Sequence, residues 1–185
     1  ASNGTEIGDD CQIMVNAHVG HDCKVGNNVV MSNLVQVAGH VEIEDFVILS
    51  GGVMVLQFSR IGRNAFVAGM TGVTGDILPY AIYEGNPRAV YRTINRVGLM
   101  RHGFTNEDMH AIHSVYNAVF HGTEGTVAER LAKVRKEVKN NKYATSLGMI
   151  LYFINKMNFR EREFSMVYEE DAKKLITPTK SVKKD

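Results

Sequence analysis

Long apolar runs are missing from this chain of 185 residues, and it has few cysteines and little net charge. No stretch of about 18 apolar residues occurs, so no helix is expected to cross a membrane. The 21 Lys and Arg nearly cancel the 20 Asp and Glu. That balance gives no general case for nucleic acid, and no basic-aromatic module appears. Only two cysteines are present, Cys11 and Cys23. They read as buried reduced thiols rather than as a disulfide or a metal pair. An initiator methionine and a signal peptide are lacking too. The opening Ala1-Ser2-Asn3-Gly4 runs straight into the repeat described next, as expected of a fragment whose earlier coils are missing.

What is present is a period. An aliphatic residue recurs at every sixth position: Ile7, Ile13, Val19, Val25, Met31, Val37, Ile43, Leu49, Val55, Ile61, Val67, Val73. A second column, four residues later, holds mostly small or β-branched side chains such as Cys11, Ala17, Cys23, Val29, Ser59, Ala65 and Thr71. A period of six fits neither an α-helix nor a plain strand. It is the signature of a hexapeptide β-helix. Three hexapeptides make one triangular coil, so four coils are expected: Glu6–Cys23, Lys24–Val41, Glu42–Ser59 and Arg60–Ile77. The aliphatic column fills the prism, and the small column lets neighbouring walls approach. Gly8, Gly26 and Gly62 are read as the residues that let a corner turn sharply. Equivalent residues on adjacent coils lie roughly 4.8 Å apart. The valines Val19, Val37, Val55 and Val73 then form one ladder, and His21, Gly39, Gln57 and Gly75 form another. The second is the informative one.

The repeat fades near Ile77-Leu78-Pro79-Tyr80. Asn86 and Pro87 have the form of an N-cap and a first helical residue. Arg88, Arg92 and Arg96 would form a stripe on that helix, followed by Arg101 and His102. The stripe reads either as a solvated face or as a docking patch for phosphate or an acidic carrier protein. Thr105 with Asp108, and Thr126 with Glu129, open two further helices as capping boxes. Met109, Ile112, Tyr116, Val119 and Phe120 face inward on the first, and Leu131, Val134 and Val138 on the second. A last helix is expected from Ser146, with Met149, Ile150, Phe153, Ile154 and Met157 inward. Residues 1–80 are thus assigned to the β-helix, 81–160 to a small α-helical C-terminal domain and 161–185 to a charged tail.

Non-aliphatic residues gather around the informative ladder: His18, Gly20, His21, Asp22, Ala38, Gly39, His40 and Gln57. A histidine, with an ordinary pKa of about 6.5, can serve as a general base near neutral pH. Asp22 adjoins His21 and could hold its tautomer. Gly39, one coil on, could present a bare backbone N–H to a developing oxyanion. A base and an oxyanion donor without a nucleophilic Ser or Cys suggest direct acyl transfer to a hydroxyl or amine. No metal is expected, because His18, His21 and His40 lack the spacing for a shared ligand set.

The segments Asn16-Ala17-His18-Val19-Gly20-His21-Asp22-Cys23, Ala38-Gly39-His40-Val41, Gln57-Phe58, Gly85-Asn86-Pro87 and Gly98-Leu99-Met100-Arg101-His102-Gly103-Phe104 follow the order and spacing of one family. Over about residues 5–160 the chain resembles the UDP-N-acetylglucosamine O-acyltransferases that begin lipid A synthesis. The resemblance implies a left-handed parallel β-helix followed by a small α-helical domain. It makes His21 the base that deprotonates the sugar 3-hydroxyl, Asp22 its support and Gly39 the oxyanion donor. His18, His40 and Gln57 become substrate contacts in the cleft, Asn95 and Arg101 nucleotide contacts, and Gly69 the limit on acyl-chain depth. The donor would be a 3-hydroxyacyl chain on acyl carrier protein, with no cofactor. The enzyme would be a cytoplasmic homotrimer of a Gram-negative-type bacterium, with clefts between subunits. Three departures stand out: Leu56 where many members have histidine, His102 where a second arginine is common, and Val97 where an acidic residue is frequent. Three rival readings remain: an N-acyltransferase acting on an amino-sugar nucleotide, an acetyl-CoA-dependent hexapeptide acetyltransferase, and a non-catalytic β-helix that binds or scaffolds.

Overall fold

The fold was obtained as a computed structural model, in which residues 4–121, 123–138 and 150 are described. The period of six becomes twelve two-residue strands, from β1 (Glu6–Ile7) to β12 (Gly72–Val73). Equivalent strands of successive coils pair in parallel and build three walls. The first wall stacks Glu6–Ile7, Lys24–Val25, Glu42–Ile43 and Arg60–Ile61. The second stacks Gln12–Ile13, Val30–Met31, Ile48–Leu49 and Phe66–Val67. The third stacks His18–Val19, Gln36–Val37, Met54–Val55 and Gly72–Val73. A parallel β-helix of about four turns results, in the expected register.

Both sequence columns point inward. Val37, Leu49, Ile61 and Val67 are fully buried, as are Val29, Val41, Ser59, Ala65 and Thr71 of the small column. Burial of these aliphatic side chains, at about 1.5–3 kcal/mol each, is the main force holding coil on coil. Cys23 is buried and Cys11 half-buried, both as free thiols.

The corners correct one reading. The left-handed conformation falls not on Gly8, Gly26 and Gly62 but on a column two residues later: Asp10, Asn16, Asp22, Asn28, Leu34, His40, Phe46, Phe58, Asn64 and Met70, with Gly52 in the same series. The three glycines are needed for close approach instead. A Cβ on Gly26 would lie 2.5 Å from Asp45 Oδ1, and one on Gly62 would lie 2.7 Å from Pro79 Cα. Asp and Asn tolerate the left-handed region, which explains half of the turning column. The bulky residues in it need another reason.

The second correction concerns the helix expected after Pro87. Residues Ala81–Glu84 form β13 and Val90–Ile94 form β14, an antiparallel pair that extends the second wall beyond Phe66–Val67. Asn86 lies in the connecting loop, and the Ala89 N–H donates to Gly72 O at 2.8 Å. The β-branched and aromatic run Val90-Tyr91-Arg92-Thr93-Ile94 suits a strand, and pairing with β13 gives its backbone partners that an isolated helical turn could not match. The arginine stripe therefore does not exist. Arg92 Nε meets Glu84 Oε1 across the strands at 2.7 Å, and Arg96 opens the short helix α1 (Arg96–Arg101).

Helix α2 (Asn106–Tyr116) starts at the expected capping box of Thr105 and Asp108 and runs on into a π-helical turn, Asn117–His121. Helix α3 (Val127–Val138) follows the reciprocal Thr126–Glu129 pair. The bond from the Thr126 backbone holds the Glu129 carboxyl below its usual range. Met109, Ile112, Tyr116, Val119 and Val134 are buried as expected, Val115 is buried as well, and Phe120 is half-buried. An aromatic cluster of Tyr80, Tyr83, Tyr91, Phe104, Tyr116 and Phe120 joins these helices to the last coil. The Tyr116 hydroxyl donates to Pro79 O, and burial pushes its phenol well above the ordinary value. Burial likewise pushes Tyr80 up to about 12. The side chains of Leu131 and Val138, the helix from Ser146 with Met149, Phe153, Ile154 and Met157, and the 161–185 tail lie outside the described residues. Ile150 is helical and buried.

Candidate functional site

The informative ladder forms one corner of the prism, where the third wall turns back to the first. His21 follows β3 (His18–Val19) by two residues, at the outward tip of its corner. Asp22 takes the left-handed position beside it, with φ 57°. That conformation turns the carboxylate back onto its neighbour, and Asp22 Oδ2 lies 2.8 Å from His21 Nδ1. The His21 side chain is 72% exposed, whereas that of Asp22 is 13% exposed. A carboxylate on Nδ1 fixes the neutral tautomer with its proton there and leaves the Nε2 lone pair free. Asp22 Oδ1 also accepts from the Gly4 N–H at 3.3 Å.

Gly39, one coil above, packs against the imidazole. A Cβ there would fall 2.6 Å from His21 Nε2 and 2.8 Å from Cε1. Gly20 permits a second close approach, because a Cβ on it would meet the Ala38 carbonyl carbon and the Gly39 nitrogen, each at 2.7 Å. Two bare positions thus bring the ring and the Gly39 peptide together. Among the described residues, no acceptor takes the Gly39 N–H. Its carbonyl is used, accepting from the Phe58 N–H at 3.2 Å.

His40 stands one coil above Asp22, at φ 58°. Its Nε2 is 4.0 Å from Asp22 Oδ2, and its ring meets that of His21 edge-on at 4.9 Å. Phe58, one coil further, stacks on His40 with centroids 4.8 Å apart and planes 12° apart. Sequence reasoning quoted Phe58 beside Gln57 but gave it no role; an aromatic residue in a column otherwise rich in Asp and Asn was the available signal. His21, Asp22 and His40 each offer a ligand atom within 4.8 Å of the others, so they could hold an ion. Zinc bonds of about 2.0–2.1 Å would require His40 to close on Asp22.

The remaining residues disperse. His18 is exposed on the third wall opposite Gln36, outside the His21 group. Gln57 is exposed on the ladder one coil above Gly39. Gly69 belongs to a different corner, exposed, with only Gly51 O near a Cβ, at 3.2 Å. Asn95 is 6% exposed and committed internally. Its Oδ1 accepts from the Gly98 N–H at 3.0 Å as the N-cap of α1, and its Nδ2 donates to Asn64 O at 2.9 Å. His102, just past α1, donates through Nδ1 to Asn64 Oδ1 and lies 4.5 Å from the Phe46 ring. Asn64 and Phe46 sit at the corner between the first and second walls. Exposed Arg101 is therefore held beside that corner, and the structure does not bring it to His21 within one copy of the chain.

Known proteins fit this geometry. The profile described as UDP N-acetylglucosamine O-acyltransferase, domain 2, matches residues 76–165, and the bacterial transferase hexapeptide profile matches residues 4–39. An acyl-[acyl-carrier-protein]--UDP-N-acetylglucosamine O-acyltransferase of Agrobacterium fabrum is 44% identical over 130 residues, covering 70% of this chain and 47% of that protein. The protein of that name from Anaeromyxobacter is 45% identical over 134 residues, covering 72% of this chain and 51% of its own length. Among solved structures, the Francisella novicida UDP-N-acetylglucosamine acyltransferase superposes with a TM-score of 0.76 at 35% identity, over 82% of this chain and 54% of that one. The Arabidopsis enzyme gives 0.78 at 33% identity, over 85% and 55%. The chain spans about half the length of these relatives. With its period of six, its stacked coils and its α1 segment all matched, the chain belongs to the UDP-N-acetylglucosamine O-acyltransferase family of hexapeptide-repeat proteins.

Proposed function

We propose that the protein transfers a 3-hydroxyacyl chain from acyl carrier protein to the 3-hydroxyl of UDP-N-acetylglucosamine, with His21 as general base. The observation that carries this reading is the His21–Asp22 hydrogen bond of 2.8 Å, which leaves Nε2 free beside a glycine. In the reaction, Nε2 takes the proton of the sugar hydroxyl as its oxygen attacks the thioester carbonyl. The oxyanion formed is met by the Gly39 N–H. Collapse breaks the C–S bond, and the imidazolium returns its proton to the departing thiolate of the carrier. Asp22 stabilises the positive charge that the ring carries between those steps. The donor brings its own activated thioester, so no cofactor enters.

His40 and Gln57 would contact the acceptor beside His21, His18 would reach it from the third wall, and Gly69 would leave room for a long acyl chain. Arg101 serves the nucleotide from a neighbouring copy. Its placement at another corner from His21 supports a homotrimer with clefts between subunits. Asn95 acts through α1, which it caps.

The test is to give purified full-length protein 3-hydroxyacyl carrier proteins of several chain lengths with UDP-N-acetylglucosamine, or with its 3-amino analogue, and follow products by mass spectrometry. A 3-O-acylated nucleotide sugar is expected, and His21→Ala should lower its formation at least about 10²-fold. Product only from the amino sugar would reassign the acceptor. Turnover by His21→Ala near that of the wild type would remove His21 from the mechanism.

A further inference from the structure

Phe58 does something the fold does not ask of it. Its backbone sits in the left-handed region at φ 62°, where a bulky side chain is rare. Its ring is 48% exposed, so core packing does not explain it. The other two aromatic residues at left-handed positions touch rings beyond the coils. Phe46 meets the His102 ring at 4.5 Å, and Tyr80, left-handed at the end of the repeat, meets Phe104 at 5.6 Å. Phe58 meets the flat face of His40.

We infer that Phe58 is a positioning residue for the transfer reaction, acting through His40. This rests on the function proposed above. The stacked phenyl covers one face of the imidazole and limits rotation about its side-chain torsions. Held so, His40 keeps its edge against His21 and its Nε2 toward Asp22. Without the phenyl, the 42% exposed imidazole would keep the edge of His21 at 4.9 Å and the Asp22 carboxylate at 4.0 Å to orient it. With only those contacts left, the carboxylate that orients the base would be open to a wandering second imidazole. The Phe58 N–H also ties its corner to Gly39 O at 3.2 Å, so the coil that carries the phenyl is hydrogen-bonded to the residue of the proposed oxyanion donor.

Two variants separate the ring from the backbone. Phe58→Asn keeps a residue that tolerates φ above zero and removes the ring; Phe58→Tyr keeps the ring. In the full-length enzyme, Phe58→Asn should lower kcat/KM for the nucleotide sugar roughly 10-fold, while Phe58→Tyr stays within about 2-fold of wild type. In a His40→Asn background, Phe58→Asn should cost nothing further, because its effect passes through the imidazole. A full additional loss in that background would overturn the inference, as would wild-type rates for Phe58→Asn. A readout independent of turnover is the proton NMR of the His40 ring. Its shifts should move downfield in Phe58→Asn and not in Phe58→Tyr, as stacking is lost. Failure of the wild type to transfer acyl groups would defeat the functional reading alone, whereas His40 shifts indifferent to Phe58→Asn would defeat the positioning role.

Discussion

Two corners of one prism, built from the same six-residue rule, have been put to opposite uses. At the corner between the first and second walls, the turn N–H groups are met by side chains. Asp9 N–H donates to Asn27 Oδ1 at 2.8 Å, Asn27 N–H to Asp45 Oδ1 at 2.9 Å, and Arg63 N–H to Glu44 Oε2 at 2.9 Å. Arg63 Nη2 adds an ion pair to Asp45 at 2.8 Å, and His102 docks α1 onto Asn64 and Phe46. At the His21 corner the equivalent position is bare at Gly39, and a ring packs against it in place of a hydrogen-bonding side chain. The first corner is closed by its own residues. The second keeps a backbone donor and an imidazole lone pair for something else. The repeat supplies the geometry, and the side chain at one position of each turn decides between structure and chemistry.

The comparison can be broken most severely at the closed corner. Gly62→Ala would drive a methyl into the Pro79 backbone, which cannot move aside. We expect about 3 kcal/mol of lost stability, read from urea unfolding; a loss under about 1 kcal/mol would mean that the coils can separate there. Gly39→Ala should do the reverse. The atom it strikes belongs to an exposed imidazole that can swing away. Stability should change by less than about 1 kcal/mol, while displacement of the base lowers kcat roughly 10²-fold. Equal losses of stability in these two variants would erase the distinction between the corners. A smaller effect belongs to the docking of α1. His102→Ala leaves the buried Asn64 amide short of a partner and should cost about 1.5 kcal/mol. Hydrogen exchange should localise that loss to Arg96–Arg101, with the β-helix strands unchanged.

Much of this was legible in the sequence, because a solenoid contacts itself at a fixed separation. Once the period was read, the stacking of Val19 on Val37 and of His21 on Gly39 followed, and both are found. The capping boxes at Thr105 and Thr126 were legible for the converse reason, since all their atoms lie within four residues. The failures fall between these scales. Asn86-Pro87 is locally a good helix start, yet pairing of β13 with β14 over several residues outweighs it. The internal partner of Asn95, Asn64, lies 31 residues away with no repeat to announce it. The glycines of Gly8, Gly26 and Gly62 were correctly marked as special but for the wrong reason. Crowding from the next coil excludes their side chains, and no local pattern reveals crowding.

The stacking register has one more consequence. Along the first wall the core residue is 46% exposed at Ile7, 6% at Val25, 3% at Ile43 and 0% at Ile61. Each coil is shielded by its neighbours on both sides, as in other one-dimensional repeat arrays. His21 and Asp22 ride on one coil, Gly39 and His40 on the next. The imidazole and the peptide it packs against thus belong to neighbouring rungs. Any coil packed over Ile7 and Ile13 would steady His21 without touching it, and the order of the base becomes a property of the pile rather than of its own turn.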